Sequence, residues 1–259
     1  MNSGNEKISI TAEFVSIIRS KDDQKNLYFV SKKGQKLYNL TKNILSEKKL
    51  KYIFEWRLNL SKIFDEKIIS YKPEQVIELA AGYSLRGFNK CLGDKNIIYI
   101  DTDFENVLIK KRQILESLCI RENISFPNNY FLVPINVLEN NIYEKISGIV
   151  SRDRKTLIIA EGLTSYFGLD EFKIFLKNIQ EFIHNFSFGE FYSHENVKQP
   201  KGIVYFLLRK FFITFLTKSK SRNNFKNIEE FNLFLSEEKI DKFDISENKT
   251  FVMYSIFSK

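Results

Sequence analysis

Short apolar runs alternate with amphipathic segments through the middle of the chain. Runs of this kind, bounded by polar or glycine-containing segments, are typical of strands buried on both faces of a sheet. Five strands are predicted, at residues 75–80, 96–101, 130–134, 156–160 and 188–192. Segments with helical spacing lie among them, and the clearest, at 170–183, repeats its apolar residues at i, i+3, i+4 and i+7. This alternation predicts an α/β fold, a mainly parallel sheet covered by helices.

Helical patterns also precede this alternating region. Ala12, Val15 and Ile18 lie on one face of a predicted helix that ends at Arg19. A longer helix is predicted at about 45–69, where apolar residues again follow helical spacing. These residues are Ile53, Trp56, Leu60, Ile63 and Phe64. Together the two helices predict an N-terminal helical cap on the sheet.

The C-terminal region is predicted as a helical excursion at 203–238, followed by a hairpin of strands at 242–245 and 250–257. Of the 259 residues, 43% are hydrophobic, which is enough for one sizeable core, and only 4 prolines and 10 glycines argue against long linkers. We therefore expect a single domain over residues 1–259. Its expected parts are the cap (1–70), the core (71–195), a helical insert or lid (196–240) and the hairpin (241–259).

The net charge of +8 leaves several kinds of partner open. A basic surface favours nucleic acid, an anionic membrane or an acidic substrate. However, the chain is rich in Lys, Asn, Ile and Phe together and has no long basic run. A general compositional bias is the better explanation, so a nucleic-acid partner is not expected.

The chain carries no sign of export or of a bound metal. Cys91 and Cys119 form no CxxC pair, so neither a zinc site nor a redox motif is indicated. Residues 1–10 lack the apolar stretch of a signal peptide. The most apolar later run, 203–216, is short and interrupted by charges, so no transmembrane segment is expected. These features predict free thiols in a reducing cytoplasm.

Residues 76–86 carry the most chemical information, because they read as a strand, a turn of small residues and the start of a helix. Ala80 and Gly82 would let a ligand lie against bare backbone, and the helix start offers N–H groups to a carboxylate. The next strand ends at Asp101 and Asp103, roughly 20 residues on, the spacing of a nucleoside-binding βαβ unit. Because there is no GxGxxG, a single nucleoside with an amino-acid tail fits better than a dinucleotide.

Four segments in order resemble the leucine carboxyl methyltransferase-like family, which includes bacterial O-methyltransferases. The similarity covers about residues 9–183, and four ordered motifs are far more specific than one. The segments are Glu78-Leu-Ala-Ala-Gly-Tyr-Ser-Leu-Arg86 (family signature ELAAGxDTR), Tyr99-Ile-Asp-Thr-Asp103 with Lys110-Lys111-Arg112 (an acidic strand end and a basic helix), Thr156-Leu-Ile-Ile-Ala-Glu-Gly-Leu-Thr-Ser-Tyr166 (EGLLxYL), and Thr11-Ala12 with Arg19 (TA…R).

The resemblance implies a fold, a cofactor and a reaction. The fold would be that of a Rossmann-like class I methyltransferase, with a seven-stranded, mostly parallel sheet, an antiparallel C-terminal hairpin and the N-terminal helical cap. The cofactor would be S-adenosylmethionine. The methyl acceptor would be a carboxylate or hydroxyl oxygen of a small molecule or of a protein C-terminus.

The family also implies roles for single residues in cofactor binding. Glu78 and Gly82 would shape the pocket, together with the turn residue Ala80. Asp103 would bind the ribose, with Asp101 as second choice. As alternatives from the residues alone, Glu78 could be a buried carboxylate bonded to backbone N–H groups, and Asp101 a helix cap.

The remaining roles concern the two ends of the cofactor. Arg57 would grip the methionine carboxylate with its planar fork, although it could equally be a surface residue of its helix. Glu161 would lie at the amino-acid end, where a solvated loop carboxylate is the alternative. Arg86 would orient the loop or contact the cofactor. Asn136, at a position where the family has Asp, would face the adenine.

Two residues are candidates on the acceptor side. Tyr166 would line the acceptor pocket by resemblance, and His194, at the end of the fifth predicted strand, could act as a general base. An ordinary loop histidine is the favoured alternative for His194. Ser84 and Leu85 stand where the family has Asp-Thr. These departures and the basic charge leave a second hypothesis open, that of a catalytically inactive cofactor-binding or nucleic-acid-binding module with the same fold.

Overall fold

The computed structural model describes residues 12–163, 166–180, 185–191, 228–238, 243–248 and 251–257. The cap begins with helix α1 at 12–19. A 3-10 helix, Gln24–Phe29, follows, then α2, Lys32–Ile44, and the long α3, Glu47–Tyr71. α2 has few apolar residues and was not expected from the pattern. The Ser31 hydroxyl caps it by accepting a hydrogen bond from the Gly34 N–H.

Seven strands form one sheet in the order β3-β2-β1-β4-β5-β7-β6. The first five strands along the chain are parallel, and β7 runs antiparallel to both β5 and β6. The strands are β1 (Gln75–Glu78), β2 (Ile98–Asp103), β3 (Tyr130–Pro134), β4 (Thr156–Glu161), β5 (Asn185–Phe191), β6 (Phe243–Asn248) and β7 (Phe251–Phe257). The predicted α/β fold with a mainly parallel sheet is confirmed.

Helices cover both faces of this sheet. After the cap they are α4 (Arg86–Gly93), α5 (Glu105–Glu122), α6 (Ile142–Ile146), α7 (Leu169–Gln180) and α8 (Ile228–Glu237). α8 is the described part of the excursion predicted at 203–238. In the part of the chain that the structure describes, no helix is long and apolar enough to cross a membrane.

Successive residues of β1 pack into two separate halves of the core, because neighbouring side chains of a strand point to opposite faces of the sheet. Val76 packs with Leu60 and Phe64 of α3, and Ile77 packs on the opposite face with Phe172 and Phe175 of α7. Leu60, Phe64, Phe172 and Phe175 are all fully buried. The sheet is thus held from both sides, which fixes the ends of β1, β2 and β4 relative to one another.

Candidate active site

A cavity of about 230 Å³ opens at the carboxyl ends of β1, β2 and β4. The sheet continues from β1 to β2 on one side and from β4 to β5 on the other, so this is the point where the strand order reverses. Ligands of open α/β sheets bind at such a point. The structure brings eight of the predicted site residues to this cavity. They are Arg57, Glu78, Ala80, Gly82, Asp103, Asn136, Glu161 and Tyr166.

The turn after β1 forms the floor of the cavity. Ala80 and Gly82 both have positive φ, of 51° and 54°. Such a backbone costs a non-glycine residue of order 1 kcal/mol or more and tends to occur at ligand sites. A Cβ on Gly82 would lie 3.4 Å from the methyl of Ala12 in α1. The turn therefore leaves bare backbone facing the cavity, under the first helix of the cap.

Asp103, the last residue of β2, is locked onto this turn. Its two carboxylate oxygens accept hydrogen bonds from the Gly82 N–H, at 2.8 Å, and from the Phe104 N–H, at 2.7 Å. Burial raises the pKa of Asp103 above its usual value, and the two backbone N–H groups oppose that shift. Each oxygen keeps one acceptor site, which a diol in the cavity can use.

Asp101 is not at the cavity. It is fully buried under α5, where Lys111 donates to its Oδ2 at 2.6 Å, as does the Tyr130 hydroxyl at 2.5 Å. Two residues along a strand amount to about 6.6 Å, so Asp101 lies deeper in the sheet than Asp103 on the same face. Its contacts are those of a structural ion pair, and they favour Asp103 over Asp101 as the residue that meets a ligand.

Three arginines from three elements surround Glu161, at the end of β4. Its Oε1 is 2.9 Å from Nη2 of Arg19 and 3.2 Å from Nη2 of Arg57, and its Oε2 is 2.6 Å from Nη2 of Arg86. Arg19, at the end of α1, lines the cavity but was not among the site residues predicted from the sequence. The spacing of Ala12, Val15 and Arg19 could have indicated it, because residues at helical spacing share a face and all three line the cavity.

Arg86 does not line the cavity, but it bridges residues that do. Besides Glu161 it contacts Glu78 at 2.7 Å through Nη1 and Asp65 through Nε, and its Nη2 donates to the Ser61 hydroxyl. It lines a different cavity, of about 420 Å³, on the other side of this network. Of the two roles expected for Arg86, these contacts favour orienting the loop.

Charge and burial set the protonation states of this network. Burial disfavours ionised Glu161, but Arg19, Arg86 and Arg57 outweigh it and hold the pKa of Glu161 well below its usual range. Burial raises the pKa of Glu78, with the Arg86 guanidinium opposing the shift. The three guanidinium groups are paired with three carboxylates: Glu78 and Glu161, which are almost fully buried, and Asp65, which is about half exposed. Arg19 and Arg57 both contact Oε1 of Glu161, so an incoming carboxylate would meet two guanidinium groups at that point.

Glu78 connects the network to the sheet. Its second oxygen accepts a hydrogen bond from the Tyr99 hydroxyl at 2.6 Å. Beside them a Cβ on Gly87 would lie 2.5 Å from the Tyr99 ring, so only glycine lets α4 approach this closely. Glu78 is thus bonded to side chains, in place of the backbone N–H groups considered from the sequence.

The far wall is formed by the segment after β3 and the loop after β4. The Oδ1 atom of Asn136 accepts a hydrogen bond from the Leu138 N–H at 3.2 Å. Tyr166 lies on the wall near Leu163 and Phe167. His194 lies outside the described residues. Within the described residues, no group of three or more His, Cys, Asp or Glu side chains is arranged to hold a metal ion.

The polar groups of these residues fit S-adenosylmethionine in their order and charge. The bare turn and Asp103 suit a ribose, the carboxylate Glu161 suits an ammonium group, and the guanidinium groups beside it suit a carboxylate. The apolar side chains of Phe104, Ile135 and Val137 lie where a flat base could pack.

Comparison with known families agrees with this geometry. The sequence profile of the family described as leucine carboxyl methyltransferase matches residues 19–180 of the chain. A search among curated proteins finds no match.

Solved structures with this fold are more distant in sequence. A candidate O-methyltransferase from Nostoc punctiforme PCC 73102 is 13% identical with a TM-score of 0.56, and the match covers 77% of this chain and 56% of that one. Human N-acetylserotonin methyltransferase, solved in complex with S-adenosylmethionine, is 11% identical with a TM-score of 0.55, and the match covers 79% of this chain and 53% of that one. The chain thus spans only about half the length of these proteins, and at such identity the likeness concerns the fold.

Proposed function

This chain belongs to the leucine carboxyl methyltransferase family, and we propose that it transfers a methyl group from S-adenosylmethionine to an oxygen atom of its acceptor. S-adenosylmethionine is the cofactor of this family. When bound, it supplies an electrophilic methyl group on a sulfonium. The protein's task is to hold donor and acceptor in line in a site that excludes water.

The observation that carries the proposal is the pairing of opposite chemistries along one cavity. Asp103 lies at the end of β2, and the Arg19, Arg57 and Glu161 group lies across the turn at the end of β4. S-adenosylmethionine has a diol in its middle and a zwitterionic amino acid at one end. A cavity with a carboxylate for the first and both charge signs for the second suits this molecule better than a neutral nucleoside.

At the amino-acid end, Arg57 and Arg19 would bind the carboxylate, and Glu161 the ammonium group. The two guanidinium groups approach Glu161 from different helices, α3 and α1, and their side chains are each only 12% exposed. Charge-assisted hydrogen bonds in such surroundings are about twice as strong as neutral ones. Arg86 would keep Glu161 in place from behind.

At the nucleoside end, Asp103 would accept from the ribose hydroxyls. Asn136 would face the adenine, where its Oδ1 can accept a second hydrogen bond from an exocyclic amino group. The Asn136 amide keeps the acceptor oxygen of the aspartate that the family has at this position, but it carries no negative charge. The departure at Asn136 is therefore compatible with binding.

The departures at Ser84 and Leu85 are also compatible with a working site. The Ser84 hydroxyl accepts a hydrogen bond from the Arg86 N–H at 3.3 Å, at the start of α4, and Leu85 is buried in the core beside it. Both residues support the helix that carries Arg86. This argues against the inactive basic module as the preferred function.

When bound, the cofactor would supply its methyl carbon to the acceptor oxygen, and sulfur would leave with the electron pair of the broken C–S bond. A carboxylate acceptor is already ionised and needs no base, whereas a hydroxyl acceptor must lose its proton. Tyr166 is proposed to line the acceptor side. For a hydroxyl acceptor, Tyr166 and His194 are the candidates to receive that proton.

The test is a transfer assay with a labelled methyl group against small carboxylic acids, phenols, peptides with free C-termini and tRNA. Labelling of one oxygen class, lost in Asp103→Asn and kept in the exposed control Asp153→Asn, supports the proposal. Cofactor binding without labelling of any class, together with nucleic-acid binding that weakens steeply with salt, would favour the inactive module.

Two further variants separate the acceptor classes. If the rate of His194→Ala does not differ from wild type between about pH 6 and pH 9, His194 is not the general base. A rate that falls in this variant and regains the wild-type value only at high pH identifies a hydroxyl acceptor. The same comparison with Tyr166→Phe tests the second candidate.

A further inference from the structure

Glu13 of α1 is a buried carboxylate that faces away from the cavity. Only 3% of it is exposed, although it is charged and lies one residue after Ala12. Buried carboxylates are rare unless paired, so its contacts need an explanation. It belongs neither to the cofactor pocket nor to the Arg86 network.

The Glu13 carboxylate joins three segments of the chain. Its Oε2 accepts hydrogen bonds from the Ser31 N–H at 2.9 Å and from the Ser31 hydroxyl at 2.5 Å. Its Oε1 lies 2.6 Å from Nζ of Lys110 in α5. The N-terminal half of α1 is thereby fastened both to the start of α2 and to the Rossmann-like core.

The fit around this carboxylate is tight. A Cβ on Gly34 would lie 2.3 Å from Oε2 of Glu13. Gly34 is in the first turn of α2, a position where most residues are tolerated and glycine is unfavourable for the helix. The close approach of Glu13 explains glycine there.

The same helix carries residues of the pocket. Ala12, Val15 and Arg19 line the cavity from α1, and Lys110, the partner of Glu13, lies 5.0 Å from the centre of the Tyr83 ring, which also lines it. The far end of α1 is held by the Arg19–Glu161 ion pair, which the cofactor would share. The near end is held by Glu13.

The geometry points to Glu13 and Lys110 as a latch that positions α1 over the cofactor, with Glu13 as a positioning residue for cofactor affinity. This inference rests on the proposed function. An open latch would leave Arg19 and Ala12 free to move away from the pocket, and each cofactor molecule would have to order α1 as it binds. The latch therefore acts on cofactor affinity and leaves the acceptor side alone.

The test measures S-adenosylhomocysteine affinity by calorimetry in wild type, Glu13→Gln, Lys110→Met and the double variant. We expect the dissociation constant to rise about tenfold in each single variant and little further in the double variant, because both changes open the same contact. Lys110→Arg should restore most of the affinity. The acceptor KM, and kcat at saturating cofactor, should stay within about twofold of wild type.

One control variant, one further variant and hydrogen exchange separate a latch from a general loss of stability. Glu238→Gln breaks an ion pair of similar length, 2.8 Å to Lys173, between residues that do not line the cavity, and should leave cofactor affinity unchanged. Gly34→Ala should weaken affinity by displacing the Glu13 carboxylate while it removes an unfavourable glycine from α2. In hydrogen exchange, Glu13→Gln should speed exchange of residues 13–19 and leave β1 and β2 protected.

The outcomes are distinct. If wild type binds and Glu13→Gln binds equally well, the latch is wrong and the proposed function stands. The latch is also wrong if Glu238→Gln loses as much affinity, or if exchange rises throughout the protein. If folded wild type does not bind, the proposed function fails, and the inference fails with it.

Discussion

Nη2 of Arg86 lies 2.6 Å from Oε2 of Glu161, although the two residues are 75 positions apart in the chain. Arg86 starts α4 and Glu161 ends β4, so this contact joins the turn that follows β1 to the strand on its other side. The ion pair therefore links the position of the turn after β1 to the position of the end of β4. A displacement of one of these two segments would be transmitted to the other through Arg86.

Replacing Arg86 by Met should destabilise the protein strongly. The change would leave Glu78 and Glu161 buried without their shared cation, and breaking a buried ion pair from one side costs about 3–5 kcal/mol. Denaturant unfolding followed by circular dichroism measures this. Arg86→Lys should lose most of the same stability, since one ammonium group cannot reproduce the planar fork. A midpoint equal to that of wild type in both variants would contradict the account.

Substitutions of Asp101 and Asp103 should affect different properties, the stability of the fold in the first case and cofactor affinity in the second. Asp101→Asn weakens the buried pair with Lys111, so it should lower the free energy of unfolding and leave S-adenosylhomocysteine affinity of the folded protein within about twofold. Asp103→Asn should weaken binding by about 1–3 kcal/mol. Unfolding curves and calorimetry on both variants give the comparison. Equal loss of affinity in the two would place Asp101 at the ligand.

Cofactor affinity should depend on the ionisation of Asp103. Because burial raises the pKa of this carboxyl above 3.8, its negative charge is lost at a higher pH than for an exposed aspartate. Affinity should then fall as the pH is lowered through this raised pKa, in the range where the protein is still folded. The stability of the fold should respond to pH in the opposite direction to affinity. Because the pKa of Asp103 is higher in the folded protein than in the unfolded chain, its contribution to the free energy of unfolding grows as the pH falls.

Titration of S-adenosylhomocysteine at several pH values checks this dependence. Asp103→Asn carries no titrating group at this position, so its weaker binding should be flatter with pH. Glu161 should not contribute, because its pKa is held well below its usual range and it stays ionised. An identical pH profile in wild type and variant would reject the role of Asp103.

Both cysteines should be inert in the folded protein. Cys91 is fully buried, and burial raises the pKa of its thiol to about 12. Cys119 is also buried, and burial raises the pKa of its thiol. Since only the thiolate reacts, iodoacetamide at about pH 8 should label neither one unless denaturant is added. Mass spectrometry before and after unfolding tests this, and rapid labelling of native protein would contradict the burial.

The sequence predicts the strand ends well because apolar runs are local. β1, β2 and β4 end within about two residues of the expected positions, and parallel strands bring these ends to one edge. Glu78, Gly82, Asp103 and Glu161 could therefore be expected in one site before any contact was known. The antiparallel pairing of β7 with β5 joins strands that are distant in the chain, so it does not follow from a local pattern.

The contacts that the sequence does not predict depend on packing between distant segments. Arg19 reaches Glu161 from α1, and the packing of Phe14 and Ile18 against Leu50 and Phe54 of α3 helps to fix the orientation of that helix. Local periodicity finds the helix but not this orientation. The choice between Asp101 and Asp103 likewise depends on Lys111, which α5 places over one carboxylate and not over the other.

Calorimetric titration of S-adenosylhomocysteine into wild type and Arg57→Met tests the central claim most directly. Arg57 lines the cavity beside Glu161 at 3.2 Å. We expect saturable binding at one site per chain in wild type. We expect a dissociation constant about tenfold or more higher in a folded Arg57→Met variant, because a charge-assisted hydrogen bond is lost. No binding by folded wild type, or equal affinity in the two proteins, would contradict the central claim.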